Sequence, residues 1–182
     1  NCGQPTNKNL ARKGWYSLSY QNARKQGLFL SNYIDERFDV IKSAQAFCGA
    51  ILEIHKRYQD WREAYVVFCT GDALWQKAKI ISGDSTNNFF LINNYLETPF
   101  KQSYSDYVVA VYIADYFNRR DLIKTDLQEI ASVPIDRFIT FDRISRKLDV
   151  DLNQLRSINP IYKKDIIPNI DRLNYLKIPT SK

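Results

Sequence analysis

The stretch Ser31–Asp72, SNYIDERFDVIKSAQAFCGAILEIHKRYQDWREAYVVFCTGD, decides how the chain folds. It reads as an opening turn followed by two helices. Val40, Ile41, Ala44, Phe47, Ile51, Ile54 and Tyr58 recur at helical spacing and mark one apolar face. Gln59-Asp60 breaks the pattern, and Trp61, Ala64, Tyr65 and Phe68 begin a second face. Asp60 is a good N-cap, Glu63 completes a capping-box pattern, and Gly71 is a C-terminal stop. Two helices joined this tightly are expected to lie antiparallel, as a hairpin.

Outward from this stretch, composition sets the bounds. The 182 residues suffice for one medium domain or two small ones, and 45% hydrophobic content with 14% aromatics supports a packed core. No run approaches the ~20 apolar residues of a membrane span. No charged and apolar leader precedes Asn1, so any signal peptide is expected to be gone already or never to have existed; Cys2 stands where a lipid anchor would sit. Cys48 and Cys69 fall on the two helices, about equally far from the turn, which leaves open a disulfide or two buried thiols. With no CxxC and a single His55, expected on a solvated face, no metal site and no cofactor are expected. The formal charge is +6, and residues 133–182 carry ten Lys/Arg against six Asp/Glu. The C-terminal part is therefore the basic one, suited to polyanions such as nucleic acid or an anionic cell-wall polymer.

Ala11–Gln26 reads as a helix ended by Gly27, after a loose polar arm over residues 1–10. Leu74–Ile81 and Phe89–Leu96 read as short helices around a turn-rich SGDSTNN loop. Tyr104–Phe117, YSDYVVAVYIADYF, is apolar on nearly all sides, as a central buried helix would be. Residues 118–132 are charged and connect two parts. Beyond them, Val133–Ile139 reads as a strand, Asp142–Leu148 and Leu152–Ile158 as two helices, and Asn174–Ile178 as a closing strand. The chain is thus expected to be α+β, with a helical domain over 1–122 and a β-α-α-β domain over 133–182.

Tyr33-Ile34-Asp35-Glu36-Arg37 and Asp60-Trp61 resemble the corresponding motifs of lysozyme-like lytic transglycosylase domains of the membrane-bound murein transglycosylase D type. Val67-Phe68-Cys69-Thr70-Gly71 stands where that family has Ala-Tyr-Asn-x-Gly. Gly14-Trp15-Tyr16-Ser17 stands where it has Gly-Leu-Trp-Gln, with Ser17 at the glutamine that lines the substrate groove. The resemblance implies a groove lined by Trp15, Tyr16, Ser17, Phe68 and Cys69. It also implies a catalytic Glu-Ser roughly fifteen residues before Gly14, and residues 1–13 hold no acidic residue. The expectation is a degenerate domain with no catalytic residue.

The C-terminal order of elements resembles a LysM module. Ile144-Ser145, Leu155, Asn159-Pro160 and Tyr175-Leu176-Lys177-Ile178-Pro179 carry the likeness, and Asp165-Ile166-Ile167-Pro168 resembles the C-terminal repeat of Bacteroidetes-type transglycosylases of this family. Thr140-Phe141-Asp142 replaces the usual Gly-Asp-Thr. The resemblance implies a glycan groove at Phe141, Asp142, Asn159, Pro160, Ile161 and Tyr162.

A lytic transglycosylase uses one glutamic acid as acid and then base, its pKa raised by an apolar setting. Among the acids present, Glu36 is expected to pair with Arg37 or a helix N-terminus, and Glu53 and Glu63 to lie on solvated helix faces. The expected function is peptidoglycan binding in the cell envelope, periplasmic or secreted, with glycan strands and other envelope proteins as partners. The alternatives are an active lyase with a recruited or upstream acid, and a nucleic-acid binder in which Ile144–Ile158 forms a helix-turn-helix. The second helix of that pair carries only one basic residue, Arg156.

Overall fold

The computed structural model describes residues 12–85, 87–118 and 130–180. Cys2, the N-terminal arm and most of the charged connection lie outside them. The fold is α+β: helices to residue 118, then two small antiparallel sheets with two more helices. It divides into two compact units, Asn1–Phe47 with Asp126–Lys182, and Cys48–Thr125. This grouping differs from the expected boundary, because the N-terminal segment packs with the C-terminal module.

In the first unit, the expected helix over Ala11–Gln26 is halved. Lys13 and Leu18 exchange backbone hydrogen bonds at 3.1 Å around a tight turn. Gly14 holds φ +78° there, and a Cβ would sit 1.9 Å from the Arg37 carbonyl oxygen. The helix therefore starts only at α1, Tyr20–Lys25, where the Ser19 side chain accepts from the Asn22 N–H. The chain then turns back, and Ile34 bridges antiparallel to Tyr162. The Asp35 N–H donates to the Ile161 carbonyl, and the Lys163 N–H to that of Tyr33, both at 2.8 Å. Tyr33–Asp35 thus adds a short strand to the C-terminal module.

That module is the expected β-α-α-β unit. After α2 to α7, which are placed below, β1 (Ile130–Ile135) runs antiparallel to β4 (Asn174–Pro179), with Val133 opposite Leu176. Between them come α8 (Phe141–Leu148), capped by Thr140, and α9 (Leu152–Ile158), capped by Asp151. The expected strand over Val133–Ile139 is split, because the chain bends at residues 136–138 and Ile139–Thr140 (β2) pairs instead with Ile166–Ile167 (β3). Phe141, Ile144, Leu155, Tyr162, Ile167 and Leu176 form the core, and Ile34 joins it at 2% exposure.

The helix over Val40–Tyr58 (α2) forms as expected, and the division between units falls within it. Its buried positions are Ser43, Ala46, Ala50 and Ile54, whereas Val40 and Ile41 are exposed. The apolar stripe is displaced because Ser43 satisfies its hydroxyl on the Asp39 carbonyl and can face inward.

In the second unit, α3 (Trp61–Thr70) begins at the Asp60 cap and ends at Gly71, as expected. It packs on α4 (Asp72–Ser82) and α7 (Ser103–Asn118) rather than forming the expected hairpin with α2. The end of α2 instead reaches α4, with the Tyr58 hydroxyl 2.6 Å from an Asp72 carboxylate oxygen. Two short helices, α5 (Phe89–Asn93) and α6 (Thr98–Lys101), connect α4 to α7. The expectation of a buried α7 fails: Val109, Val111, Tyr112 and Ile113 are exposed. α7 contacts its neighbours where half-buried Tyr104 meets Phe89 and exposed Tyr107 stacks on Tyr65. Glu63, expected on a solvated face, is buried, because the Trp75 indole N–H at 2.8 Å and the Lys79 ammonium at 2.9 Å take its carboxylate inside. Cys48 and Cys69 form no disulfide, and Cys48 is exposed rather than buried. His55 is half-buried, stacked on Trp61 at 3.8 Å between ring centroids.

Two expected outcomes follow. Ile34→Ala destabilises the protein by about 2–5 kcal/mol, as removal of a buried aliphatic side chain does, measured by urea unfolding. An unchanged midpoint would remove the N-terminal strand from the core of the module. Gly14→Ala costs more than about 1 kcal/mol in the same measurement, since both its backbone angle and the Arg37 carbonyl oppose a Cβ.

Candidate glycan-binding cleft

Two adjacent acids on the opening turn set the geometry of the first unit. Asp35 is fully buried and binds the Arg37 guanidinium through both oxygens, at 2.9 and 2.8 Å, while its Oδ1 also accepts the Arg37 N–H. Glu36 does not pair with Arg37. Its carboxylate accepts from the Lys42 ammonium at 2.6 Å, the Phe29 N–H at 2.7 Å and the Arg172 guanidinium at 2.8 Å. The reason is conformational: the 3₁₀ turn over Glu36–Phe38, capped by Asp35, sends Arg37 back to its own cap and turns Glu36 toward the C-terminal module. Arg172 also lies over the Phe29 ring at 4.6 Å.

Burial alone would raise both carboxyls. For Asp35, the Arg37 hydrogen bond and charge, with Lys163 behind them, outweigh it and hold the pKa below the ordinary value. For Glu36, the hydrogen bonds from Lys42, Phe29 and Arg172 do the same. Both acids are therefore ionised at neutral pH.

Above Glu36 opens a cleft of about 190 Å³. One wall comes from the N-terminal segment, with Trp15, Phe38 and Lys42. The other comes from the module, with residues 157–162 and 172–175 and Lys177. The Trp15 indole N–H donates to the Phe38 carbonyl at 3.1 Å, which fixes a ring that is half exposed. Tyr175 is exposed to a similar degree on the opposite wall. One fixed indole and a second exposed aromatic ring beside polar backbone suit the ring of a sugar, whose C–H face is apolar and whose edge is polar.

The sequence-derived groove residues fall in different places. Asn159, Pro160, Ile161 and Tyr162 line this cleft. Phe141 does not: it is fully buried in the core, 5.8 Å from the Tyr162 ring. Asp142 is exposed and pairs with Arg146 on α8. Phe141 directly follows β2, which pairs with β3. Asn159 is a clip, with its amide donating to the carbonyls of Leu155 and Lys177 while its oxygen accepts the Lys177 N–H. The Tyr162 hydroxyl donates to the Tyr175 carbonyl at 2.8 Å, and burial pushes its pKa up to about 12. Of the other set, Trp15 lines the cleft, Tyr16 stacks on Phe47 at 5.2 Å, and Ser17 occupies the turn at φ 48°. Phe68 and Cys69 belong to α3 of the second unit, where Phe68 is buried.

Sequence reasoning missed Lys42, Arg172, Tyr175 and Lys177. For the last two a signal existed: along β4, buried Asn174 and Leu176 alternate with exposed Tyr175 and Lys177.

Residues 129–182 match the family model described as Lytic transglycosylase MltD, LysM-like domain. The C-terminal module is thus LysM-like. No curated protein matches the chain.

The two depressed carboxyls contribute stability that is complete above their ordinary values, 3.8 for Asp35 and 4.5 for Glu36, and that is lost as pH falls through the lower folded values. Urea unfolding at pH 7 and pH 3 is expected to show the loss, and Glu36→Gln to lower stability at pH 7 while narrowing the difference. A Gln variant with the full wild-type difference would show that Glu36 is not one of the titrating groups.

Proposed function

We propose that this chain is a peptidoglycan-binding protein of the cell envelope whose helical region is a degenerate, lysozyme-like transglycosylase relative without lyase activity. The observation that carries the binding reading is the cleft, which the LysM-like loop Asn159–Tyr162 lines together with Trp15 and Tyr175. The LysM-like match supports cell-wall association, and no helix of the described residues is long and apolar enough to cross a membrane.

The acids support the second half. A single-glutamate lyase needs its carboxyl protonated near neutrality. Glu36, the one glutamate in the cleft wall among the described residues, is held ionised by three donors, and Glu63 is engaged by Lys79 and Trp75. Glu36 is therefore not poised to give a proton to a leaving oxygen. The nucleic-acid alternative loses support at α9, whose one basic residue, Arg156, is tied to Asp165 at 2.7 Å.

Co-sedimentation with insoluble cell-wall sacculi tests the proposal. The protein is expected to pellet, and Trp15→Ala or Tyr175→Ala to pellet at least severalfold less while remaining folded. Retention in the supernatant by the wild type would overturn the binding reading. Incubation with sacculi is expected to yield no 1,6-anhydro-muropeptides above a no-protein control; such products, abolished by Glu36→Gln, would instead identify an active lyase.

A further inference from the structure

We infer that the cleft reads an anionic sugar: one ring seated against Trp15 and Tyr175, with a carboxylate substituent held by Lys177. This rests on the glycan-binding reading and adds the chemical class of the ligand.

The geometry of β4 supplies the first part of the argument. Tyr175 and Lys177 are both exposed, alternate with buried neighbours, and both line the cleft. Residues two apart on one strand face have their backbones about 7 Å apart along the chain, so an aromatic side chain and a lysine stand as neighbours on the cleft wall. The strand cannot slip and exchange these faces. The Asn159 clip holds the Lys177 N–H and carbonyl, and the Tyr162 hydroxyl holds the Tyr175 carbonyl.

Charge supplies the second part. Lys42, Arg172 and Lys177 line the cleft with Glu36 and Asp39. The Glu36 charge is already met by Lys42 and Arg172. Asp39 accepts the Lys42 N–H at the start of α2. Lys177 makes no ion pair with any described residue, and its side chain is exposed on the cleft side of β4. A neutral amino sugar would leave it unused, whereas a carboxylate would meet it with a charge-assisted hydrogen bond.

The N-terminal segment supplies the third part. Trp15 comes from outside the LysM-like match, and its indole is fixed by Phe38. The ring platform on that side therefore belongs to this chain and not to the module alone.

The test uses the full chain and three probes followed by NMR titration at low salt: the disaccharide of N-acetylglucosamine and N-acetylmuramic acid, its methyl ester, and the neutral N-acetylglucosamine dimer. The acid is expected to bind roughly two- to fivefold more tightly than its ester, the range of an exposed ion pair, and the advantage to shrink at high salt. Lys177→Gln is expected to bring acid and ester to the same affinity, and Trp15→Ala to weaken the acid roughly tenfold. Equal affinity of acid and ester in the wild type, or an advantage that survives Lys177→Gln, overturns the inference while sacculus binding keeps the glycan reading. Failure of all three saccharides and of sacculi removes both.

Discussion

Ile34 in the core of the C-terminal module is the contact on which the first unit depends. A two-stranded sheet with two short helices has little apolar surface to bury, and small units of this kind are marginal without added cover. Ile34 supplies an aliphatic side chain at 2% exposure, and the backbone on either side pairs with Ile161 and Lys163. Inserting that strand brings Asp35 and Glu36 into the interior. Burying two carboxylates is costly unless each is paired and hydrogen-bonded. Arg37 meets one, and Lys42 with Arg172 meets the other. The cleft is a by-product of this solution, since the same turn that hides Glu36 leaves Phe38 and Trp15 along the edge of the module.

Much of the local structure was legible in the sequence. The Asp60 cap, the Gly71 stop, and the extent of α2 and α9 follow from side-chain chemistry acting over a few residues. The β-α-α-β order followed from periodicity. What escaped the sequence was partnership at long range. Tyr-Ile-Asp-Glu-Arg looked like the opening turn of a helical domain, and nothing in those five residues announces that Glu36 meets Arg172. α7 looked buried because apolarity on all sides is the mark of a central helix, yet periodicity does not say how much neighbouring surface will cover it. Glu63 looked solvated because Trp75 and Lys79, one helix on, were not visible as its partners. The groove residues split along the same line: Asn159–Tyr162, fixed by local clips, line the cleft, while Phe141 was drawn into the core.

In the proposed role, recognition and reaction make different demands on the cleft. Binding a sugar asks for fixed rings, satisfied backbone and a charge in the right place. Proton transfer asks for a carboxyl whose environment penalises its ionised form. Glu36 has the burial for the second task and the hydrogen-bond donors for neither side of it, because every donor around it favours the carboxylate. Removing those donors would dismantle the turn that shapes the cleft.

The Glu36–Arg172 pair closes a loop of 136 residues. On the ribosome, with elongation at about 5–20 residues per second, the segment carrying Ile34 and Glu36 waits roughly 7–27 s before the strand and arginine that receive it are made. Residues 48–125 emerge in between and can pack among themselves meanwhile. The last part synthesised therefore completes the first, and the high contact order of that closure makes it a slow step of folding. During that interval the Tyr-Ile-Asp strand is unpaired and Glu36 lacks its Arg172 partner, so a chain halted before Arg172 would carry its own N-terminal strand without a place to put it.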